Sequence, residues 1–194
     1  KNKTWSVLLR VTGAIGLILL GIVYRGGEDG SQHLSPQWWG ILGLIGWAYL
    51  FSCIIYQLVK GKIVLLLLAI VTCIAWYTIS RSDAMKGIAI WQWMAERSGH
   101  AAHTSIVLCG IVLSLLFFDE GIIKKINLRF VYAGLFAVAA IIAGYLLRPY
   151  YTISKIYASP TWCLYSVAIC TMLFSVLYWL TDVKKMERWT VFFQ

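Results

Sequence analysis

The chain has 194 residues, 60% of them apolar and only 13% charged, with a mean hydropathy of +0.76. Soluble domains carry about 25% charged residues, so too few charges are present to build a water-facing surface. A soluble globule, a disordered segment and a disulfide-stapled miniprotein are excluded, which leaves a polytopic, all-α integral membrane protein.

Six runs reach the roughly 17–25 apolar residues that a helix needs to cross a bilayer. They lie near 4–24, 38–59, 62–80, 102–118, 128–147 and 161–181. Each is hydrophobic all round and none alternates, which argues for helices and against strands. The expectation is one bundle of about six transmembrane helices over 1–194. The abrupt ends, at Lys1-Asn2-Lys3 and Phe192-Phe193-Gln194, suggest a piece of a longer protein.

The first span carries Arg10 near its start. It can snorkel to the membrane face or meet an anionic ligand there. Gly26-Gly27-Glu28-Asp29-Gly30 reads as an acidic turn, followed by a solvated His33. Ser35-Pro36-Gln37-Trp38 opens the second span with an N-cap serine, a first-turn proline and an interfacial tryptophan. Ser159-Pro160-Thr161-Trp162 repeats that chemistry before the sixth. Between spans three and four, Met85 to Met94 predicts a short interfacial helix anchored by Trp91 and Trp93. That helix either caps the bundle or roofs a site that opens outward.

His100 and His103 stand i, i+3 at the start of the fourth span, on one helix face. The pair suits capping, substrate contact or a shared metal; no carboxylate completes a metal site, so no metal is expected. Pro149, in Arg148-Pro149-Tyr150-Tyr151, stops the fifth span. Arg148 suits a headgroup phosphate, or a carboxylate in a cleft. Tyr150, Tyr151, Tyr157, Trp38, Trp39, Trp91, Trp93 and Trp162 make this side aromatic, as a membrane belt or a sugar-stacking surface.

Seventeen Lys and Arg against eight Asp and Glu give +9. In a membrane chain this surplus reads as anchoring beside anionic lipid and not as nucleic-acid binding. One side holds Lys1, Lys3, Lys60, Lys62, Lys124, Lys125, Arg129, Lys184, Lys185 and Arg188. The other holds Arg25, Arg81, Lys86, Arg97, Arg148 and Lys155. The positive-inside rule then places both termini in the cytoplasm. Cys53, Cys73, Cys109, Cys163 and Cys170 lie in apolar runs and read as small buried hydrophobes. Phosphate-loop, metalloprotease and serine-hydrolase motifs are absent. No charge falls near the middle of a span, which argues against ion-coupled transport.

Three stretches carry a resemblance. They are Trp39 to Leu50 (WGILGLIGWAYL), Ser98 to Ile106 (SGHAAHTSI), and Ile153 to Trp162 followed by Tyr178 to Lys184 (YWLTDVK). They resemble, in order, the G-V-L-Q-R-x-G-x-x-Y, D-P-E-G-L-L-G-T-I-like and N-K-x-L-W-x-x-S-Y … V-D-V-K segments of the heparan-alpha-glucosaminide N-acetyltransferase family and its bacterial relatives. Gly43-Leu44 stands where the family has Q-R.

The resemblance implies a bacterial inner-membrane enzyme that takes acetyl from cytosolic acetyl-CoA and passes it to an amino sugar or glycan outside. It covers the later half of a family member, and the family's catalytic His lies in the earlier half. On that reading the acceptor contacts are His100, His103, Trp38, Trp39, Arg148 and Trp162. Arg10, Lys60, Lys62 and Lys124 are candidates for the polyanionic donor. The alternatives are a small-molecule or lipid permease and a non-catalytic scaffold. Gly13, Gly16, Gly21, Gly40, Gly43 and Gly46 would serve the scaffold as close-packing positions, with a homo-oligomer as one form of it.

Overall fold

The computed structural model describes residues 3–27, 29–34, 40–82, 89–119 and 121–186, with the Lys3 side chain left out. It is all-α. Among the described residues, six helices are long and apolar enough to cross a membrane, which makes the chain an integral membrane protein. Helices satisfy their own backbone hydrogen bonds, and lipid offers no other partner for them.

The chain divides into two compact units, Lys1–Gly43 and Leu44–Gln194. The first holds α1 (Lys3–Val23) and a two-residue hairpin, β1 (Arg25–Gly26) with β2 (Gln32–His33). The hairpin was not expected. Gly27 and Gly30, at φ 83° and 62°, turn it. His33, read as solvated, is exposed and meets the Arg25 guanidinium. No described residue of α1 is buried within its unit. Arg10 is exposed on it.

The second unit contains most of α2 (Ile41–Val59), then α3 (Ile63–Ser80), α4 (Ala89–Glu96), α5 (Ser98–Phe118), α6 (Ile126–Leu147) and α7 (Pro160–Tyr178). The fourth span therefore begins at Ser98, four residues earlier than expected, and both histidines lie inside it. The short helix is described over Ala89–Glu96 and runs two residues past the expected end at Met94. Residues 85–88 of the expected helix, and the whole Ser35–Trp39 helix start, lie outside the described residues.

The core follows α5, which packs against α3, α6 and α7. Leu108, Val112 and Phe117 of α5 are fully buried, with Leu66 of α3. Lipid tails are as apolar as leucine, so close approach matters more than hydrophobicity in holding such helices together. On α6, Ala133, Ala137, Ala140 and Gly144 form a buried small-residue stripe. A Cβ on Gly144 would meet Tyr165 at 3.3 Å and Leu164 at 3.4 Å, both on α7. Of the glycines expected to pack, a Cβ on Gly21 would meet Leu34 at 3.4 Å, while one on Gly13, Gly16 or Gly46 would meet nothing within 4 Å. Cysteine burial splits in the same way. Cys109 and Cys163 are buried and Cys73 half-buried, but Cys53 and Cys170 are exposed; all five are free.

Connectivity gives the second unit two ends. The lysine end holds the 60–62 turn, the 119–125 loop and the 184–186 exit. The tyrosine end holds α4 and the 148–159 loop. The α2–α3 turn uses two left-handed residues, Lys60 at φ 51° and Gly61 at φ 69°. Gly61 is needed twice over, because a Cβ there would also lie 3.3 Å from the Tyr56 hydroxyl. After α7 the chain widens into a single π turn over Trp179–Val183, closed by Lys184 N–H to Trp179 O at 2.9 Å.

Candidate site at the tyrosine end

The α7 start forms as its sequence predicts. Pro160 takes the first helical position and Ser159 Oγ accepts the Trp162 N–H at 3.3 Å. The same hydroxyl also accepts from Ser154 N–H at 3.0 Å, so one serine fixes both the loop and the helix. This places Trp162 beside α5. Its ring lies 6.1 Å from that of His103, centroid to centroid, tilted by 50°. His103 Nδ1 donates to Gly99 O at 2.8 Å, one turn back. A carbonyl can only accept, so Nδ1 carries the proton and Nε2 is the basic nitrogen of the neutral ring. His100 is half-buried on the same helix, and its carbonyl accepts the Thr104 hydroxyl at 2.8 Å.

Beneath this pair, hydroxyls tie three elements together. Tyr77 OH donates to Tyr157 O at 2.8 Å, and Tyr151 OH donates to Thr78 O at 2.9 Å. The fully buried Thr161 hydroxyl donates to Tyr151 O at 2.8 Å. Tyr77 and Tyr151 also meet edge to face at 5.8 Å. Ala158 is buried among them at φ 48°, a left-handed conformation that L-residues avoid at a cost of about 1–2 kcal/mol. Strain of this kind persists only where the surroundings over-determine the loop.

Arg81 links α3 to α5. Its Nε donates to Ser98 Oγ at 2.9 Å while its guanidinium lies 4.9 Å from the Tyr77 ring centroid. The short helix α4 is pinned by Trp76 Nε1, which donates to Met94 O at 3.2 Å. Arg97 stacks on Trp93 at 4.3 Å; its 3.5 Å pairing with Glu96 is solvent-exposed and adds little. A cleft of about 490 Å³ opens between α3 and α4, lined by Ser80, Arg81, Trp91, Gln92, Ala95 and Glu96. The short helix thus forms one wall of an opening.

Of the expected acceptor residues, His103 and Trp162 come together, with His100 one turn away. Arg148 is exposed at the α6 C-terminus on the same end, but among the described residues no hydrogen bond, ion pair or ring contact joins it to them. Trp38 and Trp39 lie outside the described residues. Of the expected donor residues, Lys60, Lys62 and Lys124 gather at the lysine end, and Arg10 belongs to the first unit. Among the described residues, no group of three or more His, Cys, Asp and Glu could hold a metal ion.

Two features escaped the sequence. One is the tyrosine–threonine lattice, whose only signal is hydroxyls clustered where spans end. The other is Arg129, counted above as a surface anchor but only 8% exposed. Its Nε donates to Ile123 O at 3.0 Å and its Nη1 to Phe117 O. Phe117 O is one of the carbonyls that the α5 C-terminus leaves without a helical partner, and a guanidinium there also faces the negative helix end. The surrounding wall is aromatic: Phe117 lies 5.5 Å from Phe130, 5.2 Å from Phe174 and 4.8 Å from Tyr178.

The fold and site define the chain as a helical membrane protein with one hydroxyl-bonded end and one cationic end. Comparison with protein-family models, with curated proteins and with solved structures found no match to it.

Proposed function

We propose that this chain is the acceptor-side wall of a membrane acyltransferase that moves acetyl from cytosolic acetyl-CoA to an amino sugar on the opposite side. The observation that carries the reading is the juxtaposition of His103 and Trp162, contributed by two different helices at the tyrosine end. An indole face stacks on the apolar face of a sugar ring, and His103 Nε2 can accept a hydrogen bond from a sugar hydroxyl or amine. Lys124 at the other end suits a phosphate of the donor. In the overall reaction the amine nitrogen attacks the thioester carbonyl. A C–N bond forms, the C–S bond breaks, and coenzyme A leaves as the thiol with the amine proton. No residue of this chain is assigned as the general base, following the family resemblance.

A second reading is a scaffold that packs against further membrane helices. It is favoured by α1, whose described residues are all unburied within its unit, and it is compatible with the first.

The test is acetyl transfer from labelled acetyl-CoA in membranes carrying the full-length protein. Trp162→Ala is expected to raise the acceptor KM about tenfold, equivalent to about 1.4 kcal/mol, with kcat little changed. Absence of protein-dependent transfer, or an unchanged KM, would overturn the proposal.

A further inference from the structure

Away from the tyrosine end, α2 and α5 do not close on each other along their whole length. Ala48 and Ser52 of α2 are buried, and Ser52 Oγ donates to Thr104 O of α5 at 3.4 Å. Toward the lysine end they part, and a groove of about 650 Å³ opens between them. Tyr49, Cys53, Tyr56 and Gln57 of α2 form one wall, at the i, i+4, i+7, i+8 spacing of a single helix face. Gly110 and Ser114 form the floor on α5. From Tyr49 to Gln57 the groove runs about 12 Å at 1.5 Å per residue. The hydrocarbon of one leaflet is about 15 Å deep, half of the roughly 30 Å core.

The chemistry changes along this path. The deep part, Tyr49 apart, is apolar and floored by glycine. The shallow part carries the Gln57 amide, the Ser114 hydroxyl and the Tyr56 ring. The Tyr56 hydroxyl reaches Gly61, the residue between Lys60 and Lys62. The acids described at this end are engaged locally: Asp119 accepts from Gly121 N–H at 2.8 Å and Asp182 from the Thr181 hydroxyl at 2.7 Å. Among the described residues, no carboxylate forms an ion pair with Lys60 or Lys62 at the mouth.

From this we infer that the α2–α5 groove is a binding site for an anionic glycerophospholipid of the leaflet at the lysine end. One acyl chain fills the groove, and the headgroup phosphate lies against Lys60, Lys62 and Tyr56. Depth, polarity gradient and charge all match that occupant. The groove opens to lipid, and an unfilled channel in hydrocarbon would forfeit dispersion contacts along both walls. The lysines supply the preference for negative charge. This inference does not depend on acyl transfer.

The experiment is native mass spectrometry of the full chain, extracted mildly from membranes of equal phosphatidylglycerol and phosphatidylcholine. One phosphatidylglycerol is expected to stay bound in preference to phosphatidylcholine. Lys60→Ala and Lys62→Ala should each weaken that preference about fivefold. Gly110→Phe should remove the retained lipid, because the ring fills the groove where a Cβ now meets nothing within 4 Å.

A second measurement leaves the Gly110 floor unchanged. A bimane label on Cys53, in a Cys170→Ser background, should be quenched more by nitroxide-labelled phosphatidylglycerol than by nitroxide-labelled phosphatidylcholine. Retention of the lipid in Gly110→Phe, equal binding or quenching by the two lipids, or a Cys53–Cys53 cross-link between two copies would each overturn the site. Saturating coenzyme A is expected to leave the lipid in place; displacement would assign the lysines to the acyl donor and overturn the headgroup assignment.

Discussion

The two ends of the second unit are held by different physics. At the tyrosine end, neutral hydroxyls donate to backbone carbonyls of loops and neighbouring helices, and several modest bonds share the task. At the lysine end, one buried guanidinium satisfies two carbonyls inside an aromatic wall. A distributed lattice tolerates loss of one member, whereas a single charged keystone does not. Breaking each end should therefore give effects of different size.

Arg129→Met is expected to cost the most, about 3 kcal/mol. It strands Phe117 O and Ile123 O in the interior and removes a charge-assisted bond at a helix end. Thermal unfolding in detergent reads this, and a loss under 1 kcal/mol would reduce Arg129 to a surface anchor. Arg129→Lys should recover only part, because a point charge cannot reproduce the guanidinium fork.

Gly144→Val comes next, at about 2 kcal/mol. Branched methyls would be forced into contacts with Tyr165 and Leu164 that are already tight for a Cβ. Gly110→Val is the control, and its open surroundings predict a near-neutral result in the same melt.

Smallest are Tyr151→Phe and Thr161→Val, about 1 kcal/mol each. Both pin residue 151, one through its side chain and one through its carbonyl. A double-mutant cycle should show coupling of about 0.5 kcal/mol or more. Strict additivity would mean that the hydroxyls act singly and that the lattice is no lattice.

The six spans were legible because all-round hydrophobicity over membrane length is a one-dimensional signal. The Ser159–Pro160 cap was legible too, since capping is local chemistry within four residues. Facing was not. Hydropathy cannot say which side of a lipid-compatible helix meets protein, so the Ala133–Gly144 stripe went unread. Arg129 was misjudged for a related reason: a charge one turn inside a span usually snorkels, and only the folded α5 terminus turns it inward. At the candidate site, each histidine and tryptophan was visible alone. Only the meeting of α5 with α7 selects His103 and Trp162 from the aromatic belt.

The bond from Tyr77 to Tyr157 spans 80 residues of chain. At about 5–20 residues per second, the ribosome needs roughly 4–16 s to make that stretch. Throughout that interval α3 sits in the membrane with a phenol whose partner does not yet exist. The tyrosine end can thus close only once Thr161 has been made, and the aromatic wall at the other end only once Tyr178 has. Quality control that probes the nascent protein before this moment meets an end of the bundle without its latch.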